Sequence, residues 1–95
     1  MRARRTDNDH AELADAFESL GCRVWRVNSE VDLIVQLGAL CVMVEVRGKK
    51  GIQGPRKGAQ ARFHAQYRVE WVRSLDDVLA LVATLRKWRD AIVAL

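Results

Sequence analysis

Asp32, Glu45 and Arg47 are the residues of this chain whose types and spacing could do chemistry. The segment around them reads Glu30-Val31-Asp32-Leu33-Ile34-Val35-Gln36-Leu37, then Gly38-Ala39, then Leu40-Cys41-Val42-Met43-Val44-Glu45-Val46-Arg47. With Gly38-Ala39 as a two-residue turn, Leu37 pairs with Leu40, and counting outward sets Asp32 opposite Glu45. Cross-strand partners hold their Cβ atoms about 5 Å apart. Two carboxylates so placed repel each other unless a cation sits between them. Residues two apart on a strand point the same way, which puts Arg47 beside Glu45. Mg²⁺ is a hard cation that takes one or two carboxylates and keeps several waters. Held here, it would lower the pKa of a bound water and neutralise charge on a phosphate under attack. A cationic side chain nearby would add to that stabilisation. The plainer alternative is a charge ladder. The same register sets Glu30 opposite Arg47, leaving Asp32 and Glu45 as ordinary surface acids.

The elements that must position these residues follow from periodicity. The hairpin has one wholly apolar face: Val31, Leu33, Val35 and Leu37 with Leu40, Val42, Val44 and Val46. That face must pack on a core. The other face gathers its charges at the end that runs into the segment after Arg47. Gly38 at the first turn position suits a type II′ turn. Residues 9–20 predict an amphipathic helix with Leu13, Phe17 and Leu20 on one side. Asp9 is its expected N-cap, Glu12 its capping-box partner and Gly21 its stop. Cys22 to Val27 alternates as a strand. A second helix is expected over 57–67, with Gln60 and His64 one turn apart. A short strand follows at Val69 to Arg73. Ser74 then caps a last helix with Asp76 and Asp77 in its first turn. Leu75, Val78, Leu79, Val82, Leu85, Trp88 and Ile92 form its apolar stripe. Trp25, Trp71 and Trp88 are expected in the core, and Cys22 and Cys41 as small buried thiols. A helix between the third and fourth strands implies a parallel crossover on a mixed sheet. The fold class is therefore α/β.

At 95 residues, with 49% hydrophobic content, the chain makes one domain with one core. No apolar run approaches the roughly 20 residues of a membrane span, and no secretory signal is visible. No membrane association and an intracellular setting are expected. Two cysteines are too few for a disulfide scaffold, and no zinc-ligand spacing appears. The net charge of +4 matters less than its distribution. Arg47, Lys49, Lys50, Arg56, Lys57 and Arg62 follow one another with no acid between them, among four glycines and the only proline. A glycine-rich cationic segment suits a phosphate backbone.

Taken in order, these motifs resemble those of the PD-(D/E)XK nucleases, most closely the small stand-alone VRR-NUC-type nucleases of phage and bacteria, which are similar to Holliday-junction resolvases. Val31-Asp32-Leu33 resembles the first acidic motif and Glu45-Val46-Arg47 the E-x-K tripeptide. ELADAFESLGCRVWRV, from Glu12 to Val27, looks like the first helix and strand. Gly54-Pro55 followed by Gln60-Ala61-Arg62-Phe63-His64 looks like the family's G-P…Q-x-x-F-H segment. Val72 to Leu79 looks like its closing strand and helix. The likeness spans roughly residues 5 to 82. It implies a restriction-endonuclease-like αβββαβ core with a mixed sheet, followed here by an extra C-terminal helix. It implies Mg²⁺ or Mn²⁺ on Asp32, Glu45 and the Val46 carbonyl, assisted by Glu12, with Gln60 beside the site and no small-molecule cofactor. DNA is the implied partner, held by Lys49, Lys50, Arg56, Lys57 and Arg62. The implied activity is a homodimeric, structure-selective endodeoxyribonuclease of a bacterial or phage-infected cytoplasm, acting on flaps or four-way junctions. Two positions depart from the pattern. Val31 replaces a proline, and Arg47 replaces the lysine. Arginine stays protonated and cannot act as a general base, although it can neutralise transition-state charge. Lys49 and Lys50 lie close enough in sequence to substitute. The alternative expectation is a DNA-binding or assembly module that keeps the fold with catalysis weakened or lost.

Overall fold

The computed structural model describes residues 2–27, 29–47 and 58–94, the first eight and the last of them in backbone only. Seven elements follow in order: α1 (Arg2–Ser19), β1 (Arg23–Arg26), β2 (Leu33–Leu37), β3 (Leu40–Val46), α2 (Ala59–Gln66), β4 (Glu70–Val72) and α3 (Leu75–Ala94). The strands form one sheet in the order β1-β2-β3-β4. β1 and β3 flank β2 antiparallel, while β4 lies parallel to β3. The chain is thus α/β with a mixed sheet. The parallel pair needs a long connection, and α2 lies within it.

The hairpin register is the one the residue count gives. Leu37 pairs with Leu40 and Leu33 with Val44. Gly38, at φ 61°, supplies the left-handed residue with which a primed turn begins. Alternation then sorts the strands into two faces. Leu33, Val35, Leu37, Val44, Val46 and Val72 are buried on one of them. α1 lays Leu13, Ala14 and Phe17 on this face, and α3 adds Val78, Leu81, Val82 and Leu85. Phe17, Leu33, Val35 and Leu85 are fully buried at its centre. The opposite face carries Glu45 and Trp71, paired across β3 and β4, and α2 covers it there.

Several expectations are corrected. α1 begins at Arg2, so Asp9 and Glu12 lie inside the helix and cannot form a capping box. No proline or glycine occurs before Gly21 to stop the helix extending backwards. By contrast, Ser74 does cap α3: its Oγ accepts the Asp77 N–H at 3.3 Å, while Asp77 Oδ2 accepts the Arg73 N–H at 2.8 Å. The α3 stripe is narrower than its apolar residues suggest. Leu75, Leu79 and Ile92 are about half exposed, and Leu81 takes a place in the core instead. Leu79 lies about 100° around the helix from Val78 and so misses the sheet. Trp25 is exposed on the edge strand β1, and Cys41 is exposed while Cys22 is buried. Burial pushes the Cys22 thiol up in pKa, with Arg86 opposing. Among the described residues no helix is long and apolar enough to cross a membrane.

Candidate functional site

Asp32 sits one residue before β2, where the chain leaves the regular ladder. Its backbone is held from both sides: its N–H donates to Val44 O at 3.1 Å, and its carbonyl accepts the Val27 N–H at 3.0 Å. Its side chain takes over a strand-pairing role. Asp32 Oδ2 accepts the Val46 N–H at 2.8 Å. A hydrogen bond from an amide to a carboxylate is worth about 1.5–3 kcal/mol. Asp32 is therefore fixed to β3 by one oxygen. Val46 enters the site through this amide, while its side chain belongs to the core.

Glu45 lies on the same side of the sheet, and it is only 3% exposed. Its Oε2 accepts a hydrogen bond from Gln60 Nε2 at 3.0 Å and lies 3.6 Å from Arg47 Nη2. Its Oε1 is buried with no hydrogen-bond partner among the described residues. Burial, then the negative charge of Asp32, raises the Glu45 pKa above the usual carboxylate range. Arg47, His64 and the Gln60 hydrogen bond pull the other way without cancelling the rise.

Arg47 points to this face because it lies two residues beyond Glu45. Its guanidinium carbon is 4.9 Å from the centroid of the Trp71 ring, and its side chain is 11% exposed. Trp71 is the β4 partner of Glu45, so the register itself supplies the platform. A planar guanidinium can face a ring and a carboxylate together, which an ammonium does less well.

α2 closes the face from above. Gln60 and His64 lie one turn apart on it. His64 Nε2 is 2.9 Å from Glu30 O, and a carbonyl can only accept, so Nε2 carries the proton. Gln60 Nε2 also reaches Glu30 O, at 3.5 Å. The His64 ring meets Trp71 edge-on at 5.3 Å. α2 therefore grips the segment that leads into Asp32 while it also contacts Glu45. Arg62, two residues from Gln60, is exposed away from these contacts. Lys49, Lys50, Arg56 and Lys57 lie outside the described residues.

From α1 the structure brings a residue that the sequence motifs do not include. His10 is 7% exposed, and its Nε2 lies 3.7 Å from Asp32 Oδ2. Glu12 is exposed, and its side chain makes no hydrogen bond or ion pair with a described residue. Two residues are about 200° on a helix, so once His10, Leu13, Ala14 and Phe17 face inward, Glu12 faces out. The signal was the i, i+3, i+4, i+7 spacing of those four, which makes His10 the outermost member of the buried face.

The donor set suits a hard cation in part. Glu45 offers a desolvated oxygen without a hydrogen-bond partner among the described residues, and Asp32 is held by the protein through Oδ2. Among the described residues no three His, Cys, Asp or Glu side chains form a ready-made metal cage. A cation here would rest on the two carboxylates, a backbone oxygen such as that of Val46, and water. Comparison of the chain with protein-family models, curated proteins and solved structures finds no match.

Proposed function

We propose that this protein is a divalent-cation-dependent nuclease that hydrolyses phosphodiester bonds in DNA, with Asp32 and Glu45 holding Mg²⁺ or Mn²⁺. The observation that carries the reading is Glu45 Oε1, a buried carboxylate oxygen without a hydrogen-bond partner among the described residues, beside a second acid. Burying a carboxylate without satisfying it is costly, and a cation removes that cost. The order α-βββ-α-β also fits the nuclease-like core that the sequence motifs imply. Each residue then has a task. Asp32, at the entry to β2, and Glu45, on β3, would hold the cation. Gln60 keeps Glu45 Oε2 turned towards α2, which leaves Oε1 for the ion. Arg47, braced on Trp71, supplies fixed positive charge near a phosphate group. The cation would activate a water and neutralise phosphate charge. The basic residues between Arg47 and Arg62 would hold the DNA backbone.

A second reading has its own observation. Arg47 already lies 3.6 Å from Glu45 and partly neutralises it, so the site could persist without metal as a DNA-binding module with little turnover. One experiment separates the two. Supercoiled, flap and four-way-junction DNA are incubated with the protein in Mg²⁺ or Mn²⁺. The nuclease reading expects cleavage that Asp32→Ala and Glu45→Ala abolish while both variants stay folded, and that Arg47→Lys preserves. Retained cleavage in either alanine variant would falsify the site. Binding without cleavage in both metals selects the second reading.

A further inference from the structure

We infer that His10 is the residue of α1 that serves the metal site, by positioning Asp32 for the cation, where the family resemblance implies that Glu12 assists the metal. The inference rests on the metal-dependent reading above. His10 is more than nine-tenths buried, yet its Nδ1 has no hydrogen-bond partner among the described residues and its Nε2 stands 3.7 Å from Asp32 Oδ2. A neutral imidazole places its single proton on one nitrogen. Orphaned buried N–H groups are rarer than under-satisfied acceptors. The proton therefore belongs on Nε2, which faces Asp32, and the bare lone pair on Nδ1. The separation is just beyond a hydrogen bond, and a small movement of the imidazole or of the carboxylate closes it.

Asp32 Oδ2 already accepts the Val46 N–H. A second donor on the same oxygen, from a different element, would fix the rotation of the carboxylate once His10 closes to hydrogen-bond distance. Oδ2 would then be turned to the protein, leaving Oδ1 to face a cation. Partners of this kind orient metal-binding carboxylates, and losing one costs about 10- to 100-fold in metal affinity. Glu12 cannot do this from where it stands, because it lies on the opposite side of α1 from His10. His10 acts through Asp32 and need not touch the ion, which agrees with the lack of a three-residue cage among the described residues.

The test is a Mn²⁺ titration of metal-stripped protein, with free Mn²⁺ followed by electron paramagnetic resonance. His10→Leu keeps volume without a donor, and His10→Gln keeps a donor. Thermal melts without metal confirm that each variant is folded. Affinity is expected to fall about 10-fold or more in His10→Leu and to recover in His10→Gln. In an Asp32→Asn background His10→Leu should cause no further loss, because the residue it acts through is already gone. Wild-type affinity in His10→Leu overturns the inference. So does a loss in Glu12→Ala without one in His10→Leu, or a His10→Leu loss that persists undiminished in Asp32→Asn. Wild-type protein that binds no Mn²⁺ overturns the metal reading itself, and this inference with it.

Discussion

Glu45 is the residue on which competing effects can be weighed. Its raised pKa means that without metal the native protein holds the proton more tightly than the unfolded chain does. Between its ordinary value of 4.5 and the raised native value, the native state carries more protons, so stability falls as pH rises through that window. Below pH 4.5 the acid is protonated in both states and the penalty vanishes. Glu45→Gln has nearly the shape of the protonated acid and cannot ionise. In the presence of a chelator the variant should melt above wild type at pH 7, and the difference should close as pH falls below about 4.5. The opposing effect is the Arg47 guanidinium, which loses a charged partner. A variant that melts below wild type at pH 7 would mean that the attraction of Arg47 outweighs desolvation and the repulsion from Asp32. With Mn²⁺ present the order should reverse, since the ion stabilises only the protein that binds it.

At the scale of elements, α2 looks weakly attached, because none of its residues is buried. Its hold on the molecule is polar and directed at the site, through His64 and Gln60 on Glu30 O and Gln60 on Glu45. His64→Ala should therefore act locally. The hydrogen bond it removes is worth about 1 kcal/mol, a modest drop in melting. Amide exchange should speed up at Ser29 and Asp32, whose N–H groups bond to Val31 O and Val44 O, with little change along β2. Equal acceleration in β2 would show that α2 supports the whole sheet rather than the approach to Asp32. The elements that sequence makes legible are those whose order is short-range. The hairpin register follows from one glycine turn and strict alternation, and it places Asp32 and Glu45 together. The Ser74 cap is likewise readable from its neighbours. What escapes is the choice among faces and ends. Helix periodicity does not say where α1 starts, so a capping box could be read at Asp9. Nor does it say that α3 would leave Leu79 to solvent. His10 and Trp71 reach the site from distant elements, and only the packing of α1 and the β3–β4 register bring them there.

Across the whole molecule, apolar and polar work are divided between the two faces of the sheet. α1 and α3 cover one face and supply the core, while α2 covers the charged end of the other. This division predicts that binding and stability are separable. Neutralising Lys49, Lys50, Arg56 and Lys57 together removes four of the six basic residues between Arg47 and Arg62. None of the four follows the apolar pattern of the core, so the melting temperature should hold nearly constant. DNA binding should weaken at every ionic strength. Each phosphate that the protein no longer neutralises reduces the slope of log affinity against log salt by about 0.9 on duplex DNA. Four such phosphates would flatten it by about 3.6, and cations that share a phosphate would flatten it less. Affinity measured by fluorescence anisotropy across a salt series gives that slope directly. An unchanged slope would remove this segment from the DNA-binding surface. A flattened slope with unchanged melting would place this segment in the DNA-binding surface and show that binding and stability are separable.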